Sequence, residues 1–279
     1  MGANTKIEWA THTFNPWWGC TKVSEACKHC YAEAWAKRVG QNVWGPKPSR
    51  RMMSDAHWKQ PISWNKKAEN LARRPRVFCA SMADVFEERD ELLDPRNRLF
   101  DLIEETPNLD WLLLTKRPQN VAHLARWTDE WPDNVWLGTT VELQARADEL
   151  LPHLAAVPAK VRFISAEPLL GPLEISQWLG STINWVITGG ESGPKARPAS
   201  PGWFRNLHSQ CMANQVAFHF KQWGDWAPGD GINMLSAKKA KSARADDGTT
   251  MLRVGKKVAG RQLDGLEWDQ LPVNRGTGA

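Results

Sequence analysis

Three of the chain's five cysteines fall close together, as Cys20, Cys27 and Cys30. Thiolates are soft ligands, suited to iron–sulfur clusters, to zinc or to redox chemistry. A 4Fe-4S cluster normally takes four cysteines, so three would leave one iron open to a small molecule. Zinc is the second reading, with His12 or His29 completing a tetrahedron, although no second Cys-x-x-Cys pair is present to close the site. Free or redox-active thiols are the third. An odd number of cysteines, unevenly spread, argues against a disulfide framework. Cys79 and Cys211 lie in a strand-like and a helix-like stretch and read as small buried hydrophobes.

Further chemistry-bearing residues recur at regular distances downstream: Ser81 and Asp84, Lys116 with Arg117, Glu142, Glu167, and the run Gly189-Gly190-Glu191-Ser192-Gly193. Asp84, Glu142 and Glu167 are suited to recognising amines or transferring protons, or to capping the helix that follows. Lys116-Arg117 can hold a carboxylate or phosphate. The glycine pair lets backbone approach a ligand closely, and Glu191 beside it can accept from an amine or a ribose hydroxyl.

These residues need elements that bring them to one place. Apolar, β-branched or aromatic runs predict strands at 12–18, 76–82, 111–115, 135–140, 161–165, 185–188 and 216–221. Helical patterns lie between them at 24–39, 95–105, 118–127, 141–156 and 201–214. Strand–helix alternation implies right-handed βαβ units and a parallel sheet. Seven such strands point to a partial (β/α) barrel, and every candidate above falls at the carboxyl end of a strand, where such folds bind ligands. The predicted division is a barrel over residues 1–224 and a small basic extension over 225–279 on or near the barrel mouth.

Composition narrows the setting. With 42% hydrophobic and 24% charged residues, the 279-residue chain reads as an ordinary globular protein. No apolar run is long enough to span a bilayer and no signal-peptide pattern opens the sequence, so the expected compartment is the cytoplasm. Seventeen tryptophans against one tyrosine serve mainly as core, with a minority available to stack on bases. Between 236 and 261, Lys238, Lys239, Lys241, Arg244, Arg253, Lys256, Lys257 and Arg261 face only Asp246 and Asp247. That block is either a phosphate-contacting surface or a solvated hairpin.

The three-cysteine loop after a first strand resembles the radical S-adenosylmethionine (SAM) superfamily, with a six-residue first gap where three is common. A closer likeness covers nearly the whole chain. Asn15-Pro16-Trp17-Trp18-Gly19-Cys20-Thr21, Ser81-Met82-Ala83-Asp84-Val85-Phe86, Leu114-Thr115-Lys116-Arg117-Pro118, Ser165-Ala166-Glu167-Pro168-Leu169 and Lys221-Gln222-Trp223-Gly224 are similar to a phage- and prophage-encoded family of unknown function. The resemblance implies a 4Fe-4S cluster on Cys20, Cys27 and Cys30 with SAM on its open iron. It implies SAM contacts from Ser81, Asp84, Lys116, Glu142, Glu167, Gly189, Gly190 and Glu191, and an electron donor such as flavodoxin or ferredoxin. His29, before the last cysteine, would shield the cluster or touch adenine. The implied substrate is a nucleobase or nucleotide in phage DNA modification, reached free or flipped out. The alternatives are a zinc-stabilised nucleic-acid-binding protein without catalysis, and a radical enzyme acting on a peptide or small metabolite.

Overall fold

The computed structural model describes residues 2–127, 130–232 and 240–272. Seven strands form one sheet: β1 (His12–Thr13), β4 (Arg76–Cys79), β5 (Asp110–Thr115), β6 (Val135–Thr140), β7 (Arg162–Ala166), β8 (Trp185–Gly189) and β9 (Ala217–Gln222), in that order. Each strand beyond β1 lies beside its predecessor in the sheet, which is the strand order of a partial (β/α) barrel and places the chain in the α/β class. The sequences explain the pattern. β5 reads DWLLLT and β6 reads VWLGTT, and nearly every residue of both is buried, as strands covered on both faces must be.

The chain divides into two compact units, residues 1–139 with 153–162, and residues 140–152 with 163–279. In the first, β1, β4, β5 and β6 pair in parallel, with Phe78 opposite Leu112 and Leu112 opposite Trp136. The strand expected over 12–18 is broken at Pro16, which cannot donate to a ladder. β1 stops at Thr13, and β2 (Trp17–Trp18) turns to pair antiparallel with β3 (Arg51–Met52). The chain then resumes its course beside the residues that follow β4, where Gly19 N donates to Met82 O at 2.9 Å. The expected helix over 24–39 is also interrupted. A single 3-10 turn, Glu25–Cys27, is followed by non-helical Cys30 and then by α1 (Tyr31–Arg38). Two helices not foreseen, α2 (Asp55–Trp58) and α3 (Gln60–Ala68), precede β4, and α4 (Leu93–Glu104) follows it. The predicted helix at 118–127 shrinks to one 3-10 turn and α5 (Val121–Leu124).

In the second unit β7, β8 and β9 pair in parallel, with Ile164 opposite Val186 and Val186 opposite Phe218. α6 (Gln144–Ala155) precedes β7, and α7 (Pro201–Ala213) joins β8 to β9, opening on proline in its first turn. After β9 comes an antiparallel sheet of β10 (Trp226–Pro228), β11 (Lys241–Arg244) and β12 (Thr250–Arg253), in the order β10-β12-β11. The tail then covers the outer edge of β9, since Phe220 N donates to Trp268 O and Gln270 N to Phe218 O, which closes an otherwise open sheet edge.

The basic block is built into this unit. The turn between β11 and β12 folds onto the start of α7, where Gly202 N donates to Asp247 and the Trp203 indole to Asp246. Arg253 donates to Gly193 O, and Arg261 pairs with Glu267 and Asp269. Lys238 and Lys239 lie outside the described residues. Cys79 and Cys211 are fully buried. Among the described residues no helix is long and apolar enough to cross a membrane.

Candidate functional site

Cys20 lies just past β2, where Gly19 and Ala83 form a parallel bridge, so the first thiol sits beside the residues after β4. Its Sγ lies 3.4 Å from Thr21 O and 3.6 Å from Arg117 Nη1. Cys27, on the 3-10 turn, is 3.8 Å from Ser24 Oγ. Cys30 packs against Ala32, Ala36, Val43 and Met82 at the start of α1. Burial pushes the Cys20 thiol up to about 12, with Asp84 adding to it and Arg117 opposing.

Under this loop lies a buried charge network. Arg117 Nη1 donates to Asp84 Oδ2 at 2.8 Å, and Nη2 donates to Thr21 O at 2.6 Å. Asp84 accepts in addition from Thr115 Oγ1 at 2.6 Å and from the backbone N–H of Lys116 and of Phe86. Glu87 accepts from Arg50 Nη2 at 2.7 Å, from Arg50 Nε at 3.0 Å and from Thr21 N at 3.0 Å. Arg50 spends its other protons on the carbonyls of Val43, Gly45 and Pro48 and on Thr21 Oγ1. Burial works against the Arg117 charge, and Asp84 with Cys20 more than offsets it. Arg117, expected to await an anion, is thus taken up by Asp84, and Asp84 has four donors of its own. Arg117 so held fixes the Thr21 carbonyl just after Cys20. Sequence reasoning missed Arg50, Glu87 and Asn15, whose partners are 37, 37 and 66 residues away.

Ser81 is held by Asn15, with Asn15 Nδ2 donating to Ser81 Oγ at 3.1 Å and Met82 N to Asn15 Oδ1 at 2.7 Å. Its carbonyl accepts from the Tyr31 hydroxyl at 2.9 Å. The first unit therefore assembles Cys20, Ser81, Asp84 and Lys116 around one set of strand ends.

The second unit assembles the remaining candidates. Glu142 is buried just past β6. Glu167 Oε1 lies 3.0 Å from Lys221 Nζ. Gly190 is forced by packing, because a Cβ there would stand 1.9 Å from Trp223 O. Gly224 is in the left-handed region at φ +81° and would bring a Cβ to 2.2 Å from Glu191 O. Glu191 is bound by Arg197, whose backbone N–H and Nε donate to Oε2 at 2.8 Å while Nη2 donates to Oε1 at 2.7 Å. That bidentate pair shapes the loop after β8.

Among the described residues no three His, Cys, Asp or Glu side chains converge as ligands of a single ion. A cubane does not ask for such convergence, since each cysteine binds a different iron. Three thiols on one loop, two of them with only long contacts to hydroxyl, carbonyl or guanidinium groups, fit that donor set. His12 is engaged elsewhere: Nδ1 accepts from Asn4 N at 3.2 Å and the ring stacks on Trp64.

Residues 4–272 match the family described as "Protein of unknown function (DUF5131)", and the chain belongs to that family. No curated protein matches it. Among solved structures, two variants of spore photoproduct lyase are similar at 12% identity and a TM-score of 0.47, covering 91% of this chain and 71% of theirs.

Proposed function

We propose that this DUF5131 member is a radical SAM enzyme, with a 4Fe-4S cluster on Cys20, Cys27 and Cys30 and SAM on the open iron. The observation that supports this most is the three-thiol loop at strand ends of a parallel α/β sheet, braced from beneath by buried Arg50–Glu87 and Arg117–Asp84 pairs. Bound together, cluster and SAM supply one-electron reductive cleavage and a carbon radical able to abstract hydrogen. The chain's part is to bind, orient and exclude water. Asn15 and Tyr31 fix the Ser81 loop, and Arg117 holds the Thr21 carbonyl and so the direction in which Cys20 leaves β2. Of the residues expected to meet SAM, Asp84 and Glu191 are bound within the protein and act as positioning residues. In the first unit, Ser81 and Lys116 stand for its contacts.

An electron donor such as flavodoxin or ferredoxin would supply the electron. The substrate class we favour is a nucleobase or nucleotide, as in phage DNA modification, on the strength of the sequence resemblance and the cationic surface left at Lys241, Arg244, Lys256 and Lys257. The test is anaerobic reconstitution with iron and sulfide, followed by SAM cleavage with products analysed in the presence of DNA. Brown protein that cleaves SAM, with Cys27→Ala losing both properties, is the expected result. Colourless protein holding one zinc, or a Cys27→Ala variant with full iron content, would overturn the reading.

A further inference from the structure

The three thiols have different surroundings. Cys27 meets the Ser24 hydroxyl and Cys30 packs on Ala32, Ala36, Val43 and Met82, whereas Cys20 meets a guanidinium. Arg117 Nη1 carries two protons, and an acceptor stands beside each: Asp84 Oδ2 at 2.8 Å and Cys20 Sγ at 3.6 Å, a length that the larger sulfur atom allows. Nη2 donates to Thr21 O at 2.6 Å. One planar fork thus spans the carboxylate, the thiol and the carbonyl of the residue that follows it, which a single ammonium would not do.

The guanidinium is held from behind. Asp84 accepts from Thr115 Oγ1 and from the backbone N–H of Lys116 and of Phe86 as well as from Arg117. Arg117 and Asp84 are both buried, so little water screens their charges from the thiol. Glu87 lies 3.9 Å from Arg117 Nη2 and pairs with buried Arg50. Arg50 and Arg117 therefore cancel Asp84 and Glu87, and removing any one of the four leaves a net charge beside Cys20. A bridge that served only to brace the loop would be complete with Asp84 and the Thr21 carbonyl. The proton directed at sulfur is additional.

We propose that Arg117 is a positioning residue that tunes the reduction potential through Cys20. Nη1 donates to Sγ, draws negative charge from the thiolate and so raises the potential of a cluster held there. Asp84 fixes the guanidinium and, by its own charge, pulls the potential the other way. Potentials of such clusters follow net charge and hydrogen bonds to the sulfurs, and outer partners both orient and tune the ligands they touch. The proposal rests on the radical SAM reading above and deepens it, giving Arg117 an electronic role beside its hold on Thr21.

The experiment is a redox titration, without SAM, of the anaerobically reconstituted full chain and of Arg117→Met, Arg117→Lys and Asp84→Asn, read from the paramagnetic resonance signal of the reduced cluster. Arg117→Met should lower the midpoint. The reduced fraction at a fixed poise should fall about tenfold, the scale of one charge-assisted hydrogen bond, or about 59 mV for one electron. Arg117→Lys keeps the charge but loses the fork and should fall between. Asp84→Asn removes the opposing charge and should raise the midpoint. Opposite shifts from the two halves of one ion pair mark tuning, because a pair that only braced the loop would loosen it alike when broken from either side. An Arg117→Met midpoint within about twofold of the unaltered protein in reduced fraction, or shifts of the same sign in Arg117→Met and Asp84→Asn, would overturn the proposal. If Arg117→Met takes up no iron, Asp84→Asn and Arg117→Lys decide by the same opposition of sign, and if none of the three loads, the pair is a brace and the proposal fails. Unaltered protein that forms no cluster removes the radical SAM reading itself, whereas a cluster whose midpoint ignores these substitutions leaves that reading standing and removes this one alone.

Discussion

Glu87→Leu removes a carboxylate that accepts from three donors inside the first unit, two on Arg50 and one on Thr21 N. The Arg50 side chain is 0% exposed and that of Glu87 5%, so the solvent screening that makes surface pairs weak does not apply. Breaking a buried pair from one side strands the other charge and costs about 3–5 kcal/mol. Arg50 keeps three carbonyls and Thr21 Oγ1, so the lower half of that range is expected, about 3–4 kcal/mol. For a chain of this size each kcal/mol moves the midpoint about 2–4 °C, which gives a fall of roughly 6–16 °C. The assay is thermal unfolding followed by tryptophan fluorescence, read as the first apparent midpoint because two compact units need not unfold as one. The double variant Arg50→Met/Glu87→Leu leaves no charge stranded and should be clearly less destabilised than the two single effects combined. Thr21 follows Cys20 directly, so reconstituted Glu87→Leu should also carry less iron per chain. A single variant within about 0.5 kcal/mol of the unaltered protein, or a double variant worse than the combined singles, would refute the reasoning.

Gly190→Ala places a Cβ 1.9 Å from Trp223 O and 2.7 Å from its carbonyl carbon. Backbone must move, and the cost should exceed about 3 kcal/mol; soluble protein with an unchanged midpoint would contradict the packing. Asp110 is buried at the start of β5 with Arg74 only 3.6 Å away, and burial raises its carboxyl to about 6. A raised acid binds its proton more tightly when folded, so its contribution to stability falls as pH climbs from about 4 to about 6. Asp110→Asn should flatten that part of the stability profile and raise the midpoint at pH 7. Denaturation curves at several pH values check it, and parallel profiles for both proteins would count against it.

The strands were legible because they are near-continuous apolar runs, and β6 matches its expected span, 135–140. What failed did so where tertiary pairing overrode pattern. Nothing local says that Trp17 and Trp18 pair with Arg51 and Met52 rather than extend β1, although Pro16 is the signal that could have divided them. The C-terminal sheet was foreseen only as a solvated hairpin, because β11 (KSAR) is mostly exposed and has no apolar face to announce it.

The candidate site separates along the same line. Asp84 and Glu167 look alike in sequence, each a carboxylate just past a buried strand. Their difference is made by residues far along the chain. Asp84 meets Arg117, Thr115 Oγ1 and two backbone N–H groups, which use its lone pairs from inside the protein and turn it into a brace. Glu167 meets Ser165 Oγ and the ammonium of Lys221. Asp84, with four donors inside the protein, fixes geometry, whereas Glu167 has one hydroxyl and one partly exposed ammonium beside it. That distinction depends on counting the donors that reach each carboxylate, and those donors come from other strand ends, Thr115 to Arg117 for Asp84 and Lys221 for Glu167.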